Sequence, residues 1–161
     1  MGIELLRIDE RLIHGQILLG WAEEMDCTSI MIVDDATVSD PVMKSIMEMS
    51  FPENYKCSIC SVSQVEKEKQ RLPKERLLVV VKSISTAFEL MELGIRIPRI
   101  NMGNMTFRTG KKKFAQWVYL SPEEIGKLAR ISEHAETFYQ AVPDSERIDA
   151  KVLLAGGNKN G

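Results

Sequence analysis

Arg7-Ile8-Asp9-Glu10-Arg11-Leu12-Ile13-His14-Gly15-Gln16 is the stretch from which both the fold and the candidate chemistry can be inferred. A short apolar run at residues 3–6 precedes it, and Ile17-Leu18-Leu19-Gly20-Trp21 follows it. The stretch is therefore predicted to be the turn between a first strand and a first helix. In open α/β proteins, ligand sites lie at such turns, outside the carboxyl ends of the strands.

The turn contains the residue types that can carry a phosphoryl group on a histidine. An imidazole keeps a free nitrogen lone pair near neutral pH, so His14 can act as a nucleophile. The phosphoryl group would bring about two negative charges, which Arg7, Arg11 and a helix N-terminus can balance. Asp9 is placed to accept a hydrogen bond from one ring nitrogen, and Gly15 allows close backbone approach. The same spacing also fits a loop histidine without chemistry, with the arginines paired to nearby carboxylates.

Apolar runs of strand length alternate with amphipathic segments along the rest of the chain. Strands are predicted at residues 3–8, 29–33, 56–61, 77–81, 99–102, 117–120 and 136–142, and helices at 15–25, 41–49, 63–72, 85–93 and 122–133. This alternation predicts an α/β fold with an open, mainly parallel sheet covered by helices on both faces. The strands at 99–102 and 117–120 have no helix between them, which predicts an antiparallel addition at one edge. Polar interruptions in 136–142 predict an edge strand.

Local signals predict where the helices begin. The starts are marked by Asp40-Pro41, by Ser63 with Glu66, by Ser85, and by Ser121-Pro122-Glu123-Glu124, and Gly94 closes the helix that Ser85 begins. The helix after Asp40 carries apolar residues that are predicted to face the core, namely Val42, Met43, Ile46, Met47 and Met49.

Composition predicts one domain at residues 1–155 and a flexible tail at 156–161. The 161 residues are 44% hydrophobic, which is enough to form one core. A formal charge of -2 argues against nucleic acid as a partner. The chain has no apolar run of membrane-spanning length and no signal-like N-terminus, so we expect a cytoplasmic protein.

Cys57 and Cys60 form a Cys-x-x-Cys sequence, but its context argues against redox or metal chemistry. Both residues lie in a predicted strand, where their side chains would point to opposite faces. A redox pair of the thioredoxin type opens a helix instead, and a second pair of metal ligands is absent from the sequence. An odd number of cysteines without a secretion signal predicts reduced thiols.

Four segments resemble a known family when taken together and in order. They are residues 7–16, the run Ile30-Met31-Ile32-Val33-Asp34-Asp35, the loop at residues 101–111, and Gln140-Ala141-Val142-Pro143. Residues 7–16 resemble the active-site signature of the IIB components of the mannose/fructose/sorbose family of the bacterial sugar phosphotransferase system (PTS). The other three resemble the family's second strand with its acidic turn, its later glycine-rich loop and its final strand. The resemblance implies the same open α/β fold.

The resemblance also implies a phosphotransferase activity. His14 would accept a phosphoryl group on Nδ1 from a phosphohistidine of the IIA partner and pass it to a sugar held by the membrane IIC/IID complex. Arg7 and Arg11 would offset the charge, Asp9 would orient the loop, and Gln16 would support it from the first helical turn. This reaction needs no metal and no dissociable cofactor. The protein would be associated peripherally with the inner face of the cell membrane through IIC/IID.

Further candidate residues lie after other predicted strands, where they could share the cleft with His14. Ser83 could donate a hydrogen bond to the phosphoryl group, or it could cap the next helix. The Asp34-Asp35 pair is predicted to serve in a turn or cap. Phe107, Arg108 and Lys111 match the family's loop and are predicted to border the site or to dock a partner protein. Arg108 could pair with phosphate, with an acidic partner surface or only with solvent, and Lys111 belongs to a lysine run that fits docking or solubility.

Three other functions are compatible with parts of the sequence. A receiver-type signalling domain phosphorylated on aspartate is suggested by Asp34-Asp35 and Lys82, but it leaves the histidine segment unexplained. A nucleotide-binding enzyme is disfavoured because no glycine-rich phosphate-loop sequence is present. A non-catalytic regulatory paralogue is disfavoured because His14, Arg11 and Asp9 are intact.

The sequence leaves the sugar and the oligomeric state open. A hexose such as mannose, fructose or sorbose fits the family, although Gly103-Asn104-Met105 resembles members for amino sugars such as N-acetylgalactosamine more closely. Many relatives self-associate, so a homo-oligomer is compatible with the sequence.

Overall fold

The structure, a computed structural model, describes residues 2–157. The strands are β1 Gly2–Ile8, β2 Ser29–Val33, β3 Lys56–Cys60, β4 Arg76–Val81, β5 Arg99–Met102, β6 Lys112–Ala115, β7 Val118–Leu120, β8 Glu136–Tyr139 and β9 Ile148–Asp149. The helices are α1 Gly15–Glu24, α2 Asp35–Val38, α3 Pro41–Met49, α4 Val65–Arg71, α5 Ile84–Glu92, α6 Pro122–Ser132 and α7 Ala150–Gly157, with a 3-10 turn at Val62–Gln64 before α4.

A seven-stranded sheet in the order β3-β2-β4-β1-β5-β8-β9 organises the chain. All neighbours are parallel except β9, which pairs antiparallel with β8 at the edge. The predicted mainly parallel sheet with an antiparallel edge addition is therefore confirmed. The added strand is β9, however, and not the pair at 99–120, because β6 and β7 form a separate two-stranded hairpin. Strand β8 was predicted to lie at the edge, and β9 covers it instead.

Both faces of the sheet are covered, which explains why its central strands are apolar throughout. Leu78 and Val80 of β4 face α1, whereas Val79 and Val81 face the opposite core beneath α5 and α6. Cys57 and Cys60 also belong to opposite faces, as predicted. Burial raises the pKa of the Cys57 thiol to about 11, and burial with nearby carboxylates raises that of Cys60 to about 12.

The parallel register brings several strand ends together at one edge. Ile8 pairs with Val81 of β4 and with Met102 of β5, and Met102 pairs with Tyr139 of β8. The segments that follow these four strands therefore begin side by side. This is the edge at which the histidine turn lies.

Two of the predicted helix caps are confirmed, and two others lie two residues earlier in the chain than predicted. Asp40 caps α3, and Ser121 with Glu124 forms the capping box of α6, as predicted. The start before α4 is capped by Ser61 with Gln64 instead of Ser63 with Glu66. Helix α5 is capped by Ser83 instead of Ser85. Helix α7 was not predicted, and residues 158–161 of the expected flexible tail lie outside the described residues.

The apolar face of α3 was predicted to be buried, and this was wrong. Val42, Met43, Ile46 and Met49 are 70, 46, 53 and 87% exposed. Only Met47 of the predicted set packs against the core. The spacing predicts an apolar stripe on the helix but does not predict whether that stripe faces the core or the solvent. Within residues 2–157, no helix combines the length and apolar character needed to cross a bilayer.

We predict that Met49→Ala changes the free energy of unfolding by less than about 0.5 kcal/mol, because surface substitutions usually have small effects. Leu90→Ala, at a fully buried position of α5, should cost about 2–5 kcal/mol. Urea unfolding monitored by circular dichroism measures both. If Met49→Ala lowered the free energy of unfolding as much as Leu90→Ala does, the exposed face of α3 would have to be covered in solution.

Candidate functional site

The loop between β1 and α1 is built on a buried leucine in a left-handed conformation. Leu12 has φ 54° and is 2% exposed, and its N–H donates to the Asp9 carbonyl at 3.0 Å. A bulky residue rarely adopts this conformation, so its burial among Leu18, Phe138 and their neighbours holds the turn. The tight turn directs the next residues outward.

His14 ends this loop as the N-cap residue of α1. Its carbonyl accepts from the N–H groups of Ile17 at 2.9 Å and Leu18 at 3.1 Å. Its side chain is exposed, and its ring makes no hydrogen bond within residues 2–157. The predicted hydrogen bond that Asp9 would accept from a ring nitrogen is therefore absent among the described residues. The imidazole is accessible to another molecule.

The Asp9 carboxylate binds two guanidinium groups instead. It is 2% exposed, and Oδ1 accepts from the N–H of Arg11 at 3.0 Å and from its Nε at 2.9 Å. Oδ2 accepts from Nη2 of Arg11 at 2.8 Å and from Nη2 of Arg7 at 3.2 Å. Burial alone would raise the pKa of Asp9, but these hydrogen bonds and positive charges outweigh it and hold that pKa below its usual value. Asp9 therefore contacts the backbone of the loop at Arg11 and both arginine side chains.

Arg7 lies beneath the loop and is 1% exposed. Nη1 donates to the side-chain oxygen of Asn101 and to the Gln140 carbonyl, the latter at 3.4 Å. The Asn101 amide donates to the same carbonyl at 3.0 Å. Burial lowers the pKa of Arg7, although the charge of Asp9 opposes this. Arg7 thus ties β1 to β5 and to the end of β8.

Gly103 is required at its position because Arg7 occupies the space of a side chain. A Cβ there would lie 2.6 Å from Nη2 and 2.7 Å from Cζ of Arg7, and 2.9 Å from the Ile8 carbonyl oxygen. Gly15 differs, since an added Cβ would meet nothing within 4 Å. Its missing side chain leaves open space beside His14. Gln16, also exposed, follows in the first turn of α1.

Glu10 connects the histidine loop to the loop between β5 and β6. Its N–H donates to the Asn104 carbonyl at 2.9 Å, and its carboxylate accepts from the Thr106 hydroxyl at 2.6 Å. Arg108 approaches the same carboxylate at 3.8 Å and is 68% exposed. Phe107, 63% exposed, packs edge-on against Tyr119 with ring centroids 5.7 Å apart. Phe107 and Arg108 are thus exposed near the site.

The remaining candidates have structural partners. Lys111 pairs with Glu124 of the α6 capping box at 3.1 Å, with both side chains mostly buried. Ser83 accepts from the N–H of Thr86 at 3.2 Å as the cap of α5. Asp34 accepts from the N–H of Thr37 at 3.2 Å as the cap of α2, and Asp35 accepts from the N–H of Val62 at 2.8 Å. Capping, one of the two roles considered for Ser83, is the role observed.

Several residues that complete the site were not predicted from the sequence. They are Glu10, Asn101 and Gln140, which hold the loops and Arg7, and Trp117, which stands in the turn between β6 and β7. Asn101 and Gln140 lie in segments that the resemblance singled out. The hydrogen bond between them joins residues 39 positions apart, so no local pattern could predict it. Trp117 was predicted to begin a strand and has φ 67° instead.

We predict that Gly103→Ala destabilises the fold by about 1–3 kcal/mol, because the added methyl group collides with Arg7 and with backbone. The matched control is Gly126→Ala in the interior of α6, where a Cβ meets nothing within 4 Å. The control should be neutral or stabilising by up to about 1 kcal/mol. Urea unfolding compares the two, and equal stability of both variants would contradict the close packing.

We predict that Asp9→Asn lowers the free energy of unfolding by about 3–5 kcal/mol at pH 7, because it leaves two guanidinium groups without their carboxylate. The pKa of Asp9 lies below the ordinary value of 3.8, so its stabilising contribution is complete above that pH. The contribution is lost as the pH falls through the lowered pKa, so wild type and variant should converge in acid. Asp144→Asn, an exposed carboxylate without a recorded partner among the described residues, serves as control. A difference that persists undiminished in acid would contradict the ionised pair.

The sequence profile of the family "PTS system sorbose subfamily IIB component" matches residues 3–160. The N-acetylgalactosamine-specific phosphotransferase enzyme IIB component 2 of Escherichia coli K12 is 30% identical over 154 residues, which cover 94% of this chain and 98% of that protein. The fructose-specific EIIB component of Bacillus subtilis is 30% identical over 135 residues, 83% of either chain.

Solved structures agree with this grouping. The structure of manxB from Thermoanaerobacter tengcongensis matches with a TM-score of 0.85 at 31% identity, over 95% of both chains. The IIBSor domain of the Klebsiella pneumoniae sorbose permease has a TM-score of 0.89 at 23% identity, covering 100% of this chain and 99% of that one, and shows the same fold. With a profile match over nearly its whole length, this chain belongs to the sorbose subfamily of IIB components of the sugar phosphotransferase system and is a phosphotransferase component of sugar uptake.

Proposed function

We propose that His14 is the phosphoryl carrier of this chain. It takes the group from a phosphohistidine on a IIA protein or domain and transfers it to a hexose or amino sugar held by a membrane IIC/IID complex. The observation that carries the proposal is the exposed imidazole at the start of α1, three residues from an arginine that Asp9 holds in place. Accessibility and fixed positive charge are what a carrier histidine needs.

The loop supplies the electrostatics of the transfer. Arg11 is 37% exposed, so its guanidinium can reach an outside group while Asp9 fixes its direction. The first N–H groups of α1, those of Gly15 and Gln16, have no helical acceptor and favour an anion together with the helix dipole. Arg7 is buried and acts by holding Asp9. Ser83, at the end of the neighbouring β4, completes the proposed set because its oxygen accepts in the cap and its proton can donate.

Two in-line transfers make up the reaction. In the first, the nitrogen–phosphorus bond of the donor breaks and a bond from phosphorus to Nδ1 of His14 forms. In the second, that bond breaks, the oxygen–phosphorus bond to the sugar forms, and the hydroxyl proton passes to the freed imidazole. Chemistry of this kind depends mainly on position and charge.

The exposed residues of the β5–β6 loop support a docking role. Phe107 and Arg108 offer an aromatic ring and a cation near the histidine loop, which suits a protein partner with apolar and acidic groups. Lys111 supports this loop through Glu124. Engagement with IIC/IID would place the chain at the inner face of the membrane. The transfer requires one chain, so self-association is compatible with the proposal without being part of it.

N-acetylgalactosamine is the acceptor we propose to test first. Gly103-Asn104-Met105 resembles the loop of amino-sugar members, and one relative that matches nearly the whole chain is specific for N-acetylgalactosamine by name.

We predict that incubation with the general phosphotransferase proteins and a family IIA adds one phosphoryl group, which His14→Ala abolishes. The chain has two histidines, so His134→Ala is the matched control and should be phosphorylated like wild type. Intact mass spectrometry measures the addition, and the bond should be lost in acid but kept in base. A phosphate that persists in His14→Ala, or one that survives acid and is lost in base, would point to an aspartyl phosphate. A folded wild type that stays unmodified by a donor active on a relative would also refute the carrier role.

A further inference from the structure

Lys82 directly follows β4, at the edge of the sheet where the histidine turn lies. Its side chain is 51% exposed. Within residues 2–157, its one ion pair joins Nζ to Oδ2 of Asp34 at 4.0 Å, which is longer than a hydrogen bond. The ammonium group carries three donors, and none of them makes a hydrogen bond in the described part of the chain. Lys82 can therefore bind another molecule without losing a strong contact.

The alternation of β4 places Lys82 on the side of the sheet that α1 covers. Successive side chains along a strand point to opposite faces. Val80 belongs to the core cluster beneath α1, whereas Val81 belongs to the opposite cluster. Position 82 therefore falls on the α1 side. The contact with Asp34 agrees with this placement, because Ile32, two residues before it, belongs to the cluster beneath α1.

Lys82 stands in a row of charged side chains at the ends of three neighbouring strands. Strands β1 and β2 both pair with β4 as far as Val81. The residues that follow the three strands are Asp9, Lys82 and Asp34. Asp9 is occupied by two guanidinium groups, and Oδ2 of Asp34 accepts from the N–H and the hydroxyl of Thr37 at 3.2 and 2.6 Å. Both carboxylates beside Lys82 thus have other donors.

The core cluster beneath α1 also connects Lys82 with His14. Leu12 and Val80 both belong to this cluster. Lys82 follows Val80 by two residues, about 7 Å along a strand. His14 follows Leu12 by two residues, at most about 7 Å of chain. Both Lys82 and His14 are exposed, so they extend from the cluster toward solvent at the same edge of the sheet. Lys82 is therefore placed to reach a group on the imidazole.

The charge of a phosphoryl group favours a second cation in the site. On a histidine, the group brings about two negative charges. Arg11 offers one positive charge from the loop, and Asp9 fixes its direction. Lys82 offers another from the end of β4. An ammonium group is a compact charge with three rotatable donors, so it can follow the phosphoryl oxygens as they move during transfer.

We propose that Lys82 is a further phosphoryl-binding residue of the transfer site. Its ammonium group leaves the long contact with Asp34 and binds the oxygens of the phosphoryl group on His14, while Arg11 binds them from the loop. Lys82 stays protonated and exchanges no atoms, and its charge stabilises the phosphorylated state and the transfer. This inference rests on the proposed carrier function of His14 and adds a residue from a second strand to the site.

The alternative role of Lys82 is to stabilise the cap of α2 through Asp34. An exposed ion pair contributes little to stability, and Asp34 keeps both hydrogen bonds from Thr37 without it. If the pair were structural, removing either charge would have the same effect on the protein. In the proposed role the two changes act in opposite directions, because loss of the Asp34 charge frees Lys82 for the phosphoryl group.

The first test phosphorylates the protein chemically, so that no partner protein is involved. Phosphoramidate, a small phosphoryl donor, is applied to the His134→Ala variant, which leaves His14 as the one histidine of the chain. ³¹P NMR then follows the pH titration of the phosphohistidine. Adding Lys82→Gln should raise the titration midpoint by about 0.5 pH unit, because a nearby cation favours the dianion. Lys82→Arg should keep the midpoint of the parent.

The second test measures transfer from a phosphorylated family IIA. Lys82→Gln should slow phosphorylation of His14 about tenfold, the size of one lost hydrogen bond to a charged group, and Lys82→Arg should restore most of the rate. Asp34→Asn should be at least as fast as wild type and should have no effect when combined with Lys82→Gln. The matched control is Lys74→Gln, an exposed lysine before the start of β4, which should behave like wild type in both tests. Urea unfolding should be the same for all variants.

Two outcomes would overturn the role of Lys82. One is that Lys82→Gln matches Lys74→Gln in both the titration and the transfer rate. The other is that Asp34→Asn slows transfer as much as Lys82→Gln does, as a structural pair requires. Slower transfer from IIA with an unchanged titration would place Lys82 in partner docking and would also refute phosphoryl binding. A folded wild type in which neither donor phosphorylates His14 would refute the carrier function itself.

Discussion

The buried carboxylate of Asp9, shared between Arg7 and Arg11, is the interaction on which the site depends. Placing three charges at the edge of a sheet costs desolvation free energy, so such a cluster adds little net stability. Its value lies in geometry. The carboxylate accepts four hydrogen bonds. These hold the Arg11 guanidinium at the surface and the Arg7 guanidinium beneath the loop. Removing the Asp9 carboxylate leaves both guanidinium groups without compensation.

The sheet makes this arrangement possible because its strands end in register. Arg7 leaves β1 and reaches Asn101 of β5 and the carbonyl of Gln140 after β8, so it joins three segments that are distant in sequence. Gly103 passes directly over the guanidinium, which only a residue without a side chain can do. The histidine loop is thus held from below by β5 and β8. From the side, Glu10 connects it to the β5–β6 loop.

The result is a buried base beneath an exposed histidine. His14 itself has few constraints beyond its backbone, which caps α1 through its carbonyl. Under the proposed function, the imidazole takes a group from one protein and gives it to a sugar held by another, so it has to be accessible to both, whereas the charges around it have to stay in place. The structure meets both demands by burying Arg7 and Asp9 and exposing His14.

The sequence alone determined the order of strands β1–β5, β7 and β8 and of helices α1 and α3–α6, the position of the histidine turn, the caps at Asp40 and Ser121, and the family. Periodicity, capping and motif are local properties of the chain, whereas β6, β9, α2 and α7 were not predicted. Local signals were insufficient where two neighbouring residues could serve equally, as with Ser83 and Ser85, since the path of the strand before them decides which becomes the cap. Tertiary structure also decided that the apolar stripe of α3 faces outward, and that Trp117 stands in a turn and not at the start of a strand. The tertiary structure also pairs Asp9 with Arg7 and Arg11 and not with His14. A carboxylate that is buried where β1, β5 and β8 come together needs the nearest positive charges as partners. No local sequence pattern predicts that burial.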